Sequence, residues 1–587
     1  MIRLSILPVT THISLVNLIP PQKRSTLGDA LLTLADRMFG ITKLNRLYLL
    51  HNLAGRNKQD FAARLIKGLN LQLSGIEDLQ NKVPKVGPVV IASNHPFGGI
   101  EGVILSWALG QVRPDLKVLA NQGLKIFPEL EDYFIFTNPL SENDPKNAPS
   151  LRASLRHVKH GGALLIFPAG RVSYYHKNKN RITDHSWNRL VANLVKRSQA
   201  HYLPVFVDGL NSPLFYRLGR IYSRLRMFML PRELANKQNA RVQILAGNAV
   251  SANVYSKTLE PQVHTAVLRA QVYAQDPRWR MSWPADKTQV LQPLAPEQEH
   301  SLILAEIAQL PTEQHLFENK NFAVYFGYPS QLSATIKEIA RLRELVFREH
   351  NEGSGEPVDT DHFDATYSHL FVIKRDSGKI IGAYRMGQTD RLLATGNIDK
   401  LYLARMFKFN PEFVNQQQPC LELGRSFLIP EYQQSFQGLY LLWRGIGAFV
   451  CKFPRYRTLY GTVSLSKLYD PRSVALIDKA MVTATTQVSP YTAFDFPLHP
   501  ELEEFAGQHK LSQHLTALLG SIESDGKDIP ILLKHYNKLG AVFHCVGIDK
   551  NFNDTPGLLL SVDLPAAPQK LLKLYMGVGW EAYRDWK

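Results

Sequence analysis

The chain has 587 residues, 45% of them hydrophobic and 20% charged. That balance excludes a disordered, collagen-like or coiled-coil protein and leaves material for two large domains or several smaller ones. Three widely separated cysteines, Cys420, Cys451 and Cys545, support neither a disulfide framework nor a cysteine zinc site, so a reducing, cytoplasmic setting is expected. The formal charge of +17 is unevenly placed: residues 1–300 hold 38 Lys and Arg against 20 Asp and Glu, and 301–587 hold 30 against 31. Within the front half, 151–250 carries 17 basic and 3 acidic side chains, enough to draw an anionic partner such as nucleic acid, lipid head groups or an acidic protein, and charge alone does not choose among the three. No apolar run reaches the roughly 18 residues of a spanning helix, and the first 25 residues lack the order of a signal peptide. The chain therefore reads as neither exported nor threaded through a membrane.

In chain order, apolar residues at helical spacing from Leu27 to Leu53, interrupted at Gly40, predict two amphipathic helices. From Val86 the pattern changes to short apolar runs separated by helix-like stretches: Val89–Ala92, Lys117–Ala120, Ala163–Phe167, Tyr202–Val207 and Val242–Leu245. This alternation predicts an α/β domain with a largely parallel sheet behind a helical N-terminal segment. A Pro- and Gln-rich stretch reads as a linker, which sets the domains at 1–275, linker 276–320, and 321–587. The last begins with a helix over Leu332–His350, continues with strands at Leu370–Lys374, Ile380–Arg385 and Leu421–Leu428, and adds a helix over Leu439–Val450. That order predicts a separate α+β domain.

Two constellations carry chemistry. In VVIASNHPFGGIEG, Val89 to Gly102, a strand delivers His95 into a polar turn and Glu101 opens the next helix. Across such a turn the carboxylate orients the imidazole, leaving its other nitrogen to deprotonate an alcohol. In the second half, Arg343 and Phe347 sit on a helix and Asp361 and Asp364 in a loop. Arg385 ends GAYR, and Glu422 and Arg425 lie in LELGRS. Strand alternation would put Glu422 and Arg425 on opposite faces, so a turn at Gly424 is expected to bring both into one cleft. Arg217, Arg220 and Arg224 form one helical stripe beside Ile221, Leu225, Phe228 and Met229. An apolar face edged by arginines suits an anionic membrane surface or acidic acyl carrier protein.

The blocks NHPFGGIEG, ALLIFPAGRVS and YLPVFV, in that order over about 27–250, resemble the glycerolipid acyltransferase family, in its hemolysin-like and ornithine-lipid branch. The resemblance implies His95 as base, Glu101 as its partner, Asn94 as a substrate contact, and the turn with Phe167, Pro168, Gly170 and Arg171 as the holder of the acceptor's polar head or the developing oxyanion. The set R-x-x-x-F, D-x-x-D, G-x-Y-R and E-x-G-R, with LYLLWRGIGAFV and IPILLKHYNKLGAVFHC, resembles the acyl-homoserine-lactone synthase and ornithine N-acyltransferase branch of the GNAT-like fold over about 321–562. It implies Glu422 as base or water-positioner, Arg385 and Arg425 placing the acyl donor or the amino acid's carboxylate, and Arg343, Phe347, Asp361 and Asp364 shaping the site.

Joined in one chain, the two domains resemble the bifunctional ornithine lipid synthases. That resemblance implies N-acylation of ornithine with a 3-hydroxyacyl chain from acyl carrier protein in the rear domain. O-acylation of the resulting lyso-aminolipid would follow in the front domain. Partners would be acyl carrier protein, ornithine and the cytoplasmic face of the inner membrane, touched peripherally; no bound cofactor, metal or nucleic acid is expected. Glycine, serine, glutamine or lysine as head group, and a hemolysin-like membrane-binding protein without transferase activity, remain the alternative readings.

Overall fold

Nineteen strands and their connecting helices divide between two units in a computed structural model that describes residues 14, 16, 25–121, 124, 127–137, 147–221, 225–284, 291–414, 418–433 and 435–586. The first unit comprises residues up to Arg280 together with Leu498–Asp528; the second comprises Met281–Pro497 and Ile529–Lys587.

The first unit contains β1 (Gln72–Ser74), β2 (Val89–Ser93), β3 (Lys117–Asn121), β4 (Phe134–Thr137), β5 (Ala163–Ile166), β6 (Tyr174–His176), β7 (Arg181–Thr183), β8 (His201–Asp208) and β9 (Arg241–Ala246). Seven of them form a sheet in the order β1-β9-β8-β2-β5-β3-β4, while β6 and β7 form a separate hairpin. From β8 through to β4 the neighbours are parallel, and only β9 runs against β8. Every residue of β2 and β5 is buried, as continuous apolar runs covered on both faces should be. Helix Ile100–Val112, with Lys58–Gly68, packs the core of one face, and Leu190–Ser198 and Pro261–Tyr273 cover the other. At the N-terminal side, helices Thr26–Met38 and Ile41–Leu50 flank Gly40, whose φ of 75° makes it the left-handed joint between them.

Leu498–Asp528 joins this first unit, so the span expected for the rear domain, 321–587, is interrupted. The join is electrostatic and backbone-directed. Arg181 and Arg269 bind Glu501 at 2.7 and 3.0 Å, Asp276 faces His499 at 3.3 Å, and Gln271 donates to the Ala517 carbonyl. No composition shift marks such a segment, because its partners lie more than 200 residues away in sequence.

The second unit contains β10 (His315–Asn319), β11 (Phe322–Gly327), β12 (Ser368–Lys374), β13 (Ile380–Gln388), β14 (Phe407–Phe409), β15 (Cys420–Leu428), β16 (Thr458–Ser464), β17 (Val488–Pro490), β18 (Val542–Asp549) and β19 (Thr555–Asp563). Eight form one sheet in the order β10-β11-β12-β13-β15-β16-β19-β18, antiparallel except for the parallel pair β15 and β16. Helix Ser333–Glu349 packs on β13 and β15, and Phe436–Lys452 on β10 to β13. Part of the expected linker is structured: His300–Ala308 is a helix packed on Ser333–Glu349, and Glu306 accepts from Ala334 N and from Thr335 N and Oγ1. The glycines of R-G-I-G-A serve close packing, since a Cβ on Gly447 would meet the Tyr575 carbonyl oxygen at 2.2 Å.

Candidate active sites

In the first unit, parallel pairing of β2 with β5 sets Ala92 opposite Ile166, so the loops leaving both strands emerge side by side. Such strand ends are where ligands of α/β sheets bind. The His95 ring accordingly lies 4.6 Å from that of Phe167. Its Nδ1 stands 2.9 Å from Glu101 Oε1, an ion-pair contact more than an aligned hydrogen bond. Glu101 is wholly buried in the first turn of its helix, where it also accepts from Phe97 N and Gly98 N at 2.9 and 2.8 Å and, through Oε2, from Gly99 N at 2.8 Å. The turn depends on Gly98, whose φ is 86° and whose Cβ would meet Leu230 at 2.6 Å.

Burial pushes the His95 pKa down, but the facing Glu101 charge, helped by Asp184, outweighs it and holds the imidazole above its ordinary value. For Glu101 burial works upward, and His95 with the amides of Gly98 and Gly99 keeps the carboxyl below its usual range. The side chain of His95 keeps 18% of its surface exposed, and it opens into a cavity of about 810 Å³. Val103, Leu130, Phe134, Leu151 and Phe167 line its apolar walls. Pro168, Ala169, Gly170, Arg171 and Arg226 also border it. Arg171 is exposed and makes no hydrogen bond or ion pair among the described residues. Nearby, His185 is driven down to about 4 by burial and by Arg226 and Arg171, so its neutral imidazole adds no charge to the basic rim.

Asn94 is a correction to the expected substrate contacts. It donates to the Val207 carbonyl at 2.9 Å and accepts from Val207 N at 2.7 Å, so its amide clamps β2 to β8. Sequence reasoning missed Asp184, which accepts from His95 N at 3.1 Å, Ser173 Oγ at 2.6 Å and Trp187 Nε1 at 3.0 Å. It fixes the backbone on which His95 sits. The available signal was rarity, for it is one of three acids in the strongly basic stretch 151–250.

Of the expected arginine stripe, Arg217 and Arg220 lie on helix Pro213–Ile221 and Arg224 lies outside the described residues, while Phe228 and Met229 belong to a second helix, Leu225–Ala235. Arg217 is exposed, Arg220 stacks over Tyr175 at 3.8 Å, and Met229 is buried. Ile221 and Phe228 remain exposed, at 79% and 57%. Helix Thr26–Met38 likewise turns Leu27, Leu31, Leu34 and Met38 outward, each more than half exposed. Among the described residues, no helix is long and apolar enough to cross a membrane.

In the second unit, register explains how scattered polar residues meet. Residues opposite each other on paired strands share a face. His369 faces Arg385, Gly387 faces Glu422, and Glu422 faces Tyr460, so one face of the sheet carries all four polar side chains. Arg425 joins them by a route other than the expected turn at Gly424. Between the pairs Ala383–Phe427 and Arg385–Gly424 the register slips by one residue, and Arg425 adopts φ 48°. This is a β-bulge with a left-handed residue, which rotates the Arg425 side chain onto the face of Glu422.

Arg343 makes a two-pronged contact with Asp364 at 2.9 and 2.8 Å, meets Asp359 Oδ2 at 3.0 Å, and also donates to the Asp359 carbonyl. Arg385 binds Asp361 and Asp364 at 2.6 and 3.2 Å. Despite burial, Arg343 and Arg385 hold Asp364 far below the usual carboxylate range. The Asp361 and Asp364 pair thus organises the loop with the arginines, as expected of residues that shape the site, and Arg343, Asp364 and Phe347, which meets Phe552 edge-on at 4.9 Å, are buried in the scaffold. Glu422 accepts from Tyr367 Oη at 3.1 Å, Tyr460 Oη at 3.3 Å and Leu403 N at 3.4 Å, and burial lifts it to about 7. Arg425 lies 3.5 Å from Asp359 and 3.8 Å from Asp361, between the rings of Tyr402 and Phe552 at 4.9 and 4.4 Å.

Comparison with known proteins assigns a class to both parts of the chain. Residues 26–267 match the acyltransferase family, and residues 342–444 match the acetyltransferase (GNAT) domain. The chain is an acyltransferase, with an acyltransferase domain in its N-terminal part and a GNAT domain toward its C-terminus. Among curated relatives, a glycine N(alpha)-acyltransferase of Bacteroides thetaiotaomicron is 26% identical over 47% of this chain and 86% of its own length. A lyso-glycine lipid O-acyltransferase of Phocaeicola vulgatus is 25% identical over 35% of this chain and 72% of its own. The crystal structure of the 1-acyl-sn-glycerophosphate acyltransferase of Thermotoga maritima aligns with 44% of this chain and 99% of that one, at 14% identity and a TM-score of 0.26.

Proposed function

We propose that this chain makes a two-chain aminolipid by two successive acyl transfers. The GNAT-containing unit joins a 3-hydroxyacyl chain to the α-amino group of an amino acid, and the front unit esterifies the 3-hydroxyl of that product. The single observation that carries the reading is His95, backed by a buried Glu101, opening into a cavity of about 810 Å³ with largely apolar walls, in a chain that also holds a GNAT domain. In the front unit His95 Nε2 removes the proton of the lyso-lipid hydroxyl as it attacks an acyl thioester, and Glu101 stabilises the imidazolium that forms. The cavity takes an acyl chain, and Arg171 with Arg226 faces the acceptor's carboxylate. In the rear unit Arg425 receives the amino acid's carboxylate, with Glu422 accepting a proton from the tetrahedral adduct. Acyl carrier protein is the proposed donor, and the outward leucines of Thr26–Met38 with Ile221, Phe228 and Arg217 the proposed contact with an inner-membrane surface.

Two acceptors are in view. The motifs LYLLWRGIGAFV and IPILLKHYNKLGAVFHC favour ornithine, and the similarity to a glycine N(alpha)-acyltransferase and a lyso-glycine lipid O-acyltransferase favours glycine. Lipid mass spectrometry of a host lacking aminolipids, supplied with the carrier protein and 3-hydroxyacyl donors, tests both reactions and reads the head group from its mass. Wild type should yield a lipid with one amide and one ester chain, His95→Ala the single-chain lyso form, and Glu422→Ala neither. A well-expressed wild type that makes no new lipid would return the chain to the membrane-binding alternative.

A further inference from the structure

The loop that follows helix Ser333–Glu349 presents a carboxyl group that the motifs do not include. Glu352 is buried, at 7% exposure, yet its side chain makes no hydrogen bond and no ion pair within 4.0 Å among the described residues. Contacts through Phe347 bring it into the neighbourhood of Arg425: Glu352 N donates to the Phe347 carbonyl, the Phe347 ring meets Phe552 at 4.9 Å, and Arg425 stacks over Phe552 at 4.4 Å. Arg425 is equally unusual: its side chain is only 8% exposed and its guanidinium carries five N–H donors, yet among the described residues it donates no hydrogen bond and makes only the two longer contacts to Asp359 and Asp361. Arg425 Nε is fully buried without a hydrogen bond, which native structures rarely leave unexplained, and the Glu352 oxygens keep access to solvent.

The loop is held firmly, so the position of Glu352 is built. Glu344, fully buried, accepts from Ser354 N, Ser354 Oγ and Gly355 N at 3.0, 2.8 and 2.8 Å and pairs with Arg348 at 2.7 Å. Glu352 N donates to the Phe347 carbonyl at 2.8 Å, and Asn553 Nδ2 binds the Asn351 carbonyl from the β18–β19 turn. On the other side, the bulge that gives Arg425 its left-handed backbone aims the guanidinium between Tyr402 and Phe552.

We infer that Arg425 and Glu352 form the two halves of a receptor for a free α-amino acid, Arg425 taking its carboxylate and Glu352 its ammonium group. An α-amino acid carries opposite charges two bonds apart, which matches a cation and a carboxyl that are near each other but do not touch. The inference rests on the proposed N-acyl transfer and adds the residue that prepares the amine. An ammonium has no lone pair, so one proton must leave before attack. Glu352 takes that proton, and the amine nitrogen adds to the thioester carbonyl carbon. The C–N bond forms and the C–S bond breaks. The second N–H proton reaches the departing thiolate by way of Glu422, and Glu352 returns its proton to water. Burial lifts the Glu352 carboxyl to about 8 against the pull of Arg425, which suits a group that must accept a proton from an ammonium.

The test uses the full chain with a 3-hydroxyacyl carrier-protein thioester and either glycine or ornithine, reading kcat and KM for the amino acid alongside the melting temperature. Glu352→Gln should lower kcat/KM for the amino acid by about 10²-fold, with KM raised, a melting temperature unchanged or higher, and O-acylation of supplied lyso-lipid intact. Glu352→Asp should restore part of the loss. A Gln variant with wild-type KM and kcat overturns the inference, as does one whose melting temperature falls and whose activity is lost in step, because that marks a structural carboxyl. Loss with ornithine but not with glycine overturns it too, by assigning Glu352 to a side-chain ammonium. If wild type acylates no amino acid at all, the proposed function fails first and the receptor with it, an outcome distinct from the rest.

Discussion

The two units place a buried carboxylate behind their chemistry in opposite ways. In the first, Glu101 has one charged partner, His95, and three backbone amides, all within the seven-residue turn from His95 to Glu101. In the second, Asp359, Asp361 and Asp364 share Arg343, Arg385 and Arg425, drawn from a helix, a loop and two strands. A local turn can change its side chains without unfolding the sheet beneath it. A distributed network cannot, because each charge it loses leaves another buried and unmatched.

The largest expected effect falls on the local site. His95→Ala should reduce O-acylation of lyso-lipid by about 10²- to 10⁴-fold while N-acylation and the melting temperature hold, measured on the purified chain with each reaction supplied separately. Parallel loss of both reactions would show that the units do not act independently. In the network, Asp364→Ala should cost about 3–5 kcal/mol by stranding Arg343 and Arg385, read from denaturant unfolding of the second unit. A variant that lost N-acylation while keeping its full stability would turn Asp364 from scaffold into substrate contact.

The smallest effect sharpens the role of Glu101. The folded His95 pKa is raised, so the neutral base is available only above a value higher than the ordinary histidine, and wild-type O-acylation should fall as pH drops through it. Removing the charge with Glu101→Gln lowers that pKa, so the acid limb should move to lower pH while the plateau rate falls by roughly tenfold as orientation and imidazolium stabilisation are lost. The same pair contributes stability below the unfolded histidine pKa, a contribution lost as pH rises through the folded one. An unmoved limb would show that His95 is not the group being titrated.

Much of the scaffold was legible because it depends on short-range pattern. The runs at Val89, Lys117, Ala163, Tyr202 and Val242 became strands within a residue or two of their predicted ends. Leu332–His350 became Ser333–Glu349, and Leu439–Val450 lies inside Phe436–Lys452. His95 and Glu101 were legible for the same reason, since a single turn brings them together. Asp184 was not, because it reaches His95 through the backbone from 89 residues away.

By itself, then, the sequence determined the local elements and the dyad whose geometry one turn supplies. Its apolar periodicity and glycine placement act over a few residues, and nothing distant is needed to read them. Only the tertiary structure decided that Leu498–Asp528 joins the first unit, that His300–Ala308 is a packed helix, and that Asn94 and Arg343 are spent on the scaffold. It alone placed Glu352 near Arg425, through a one-residue register slip in β15. Those outcomes depend on which strands pair and in what register, and on ion pairs between residues whose sequence separation leaves no local trace.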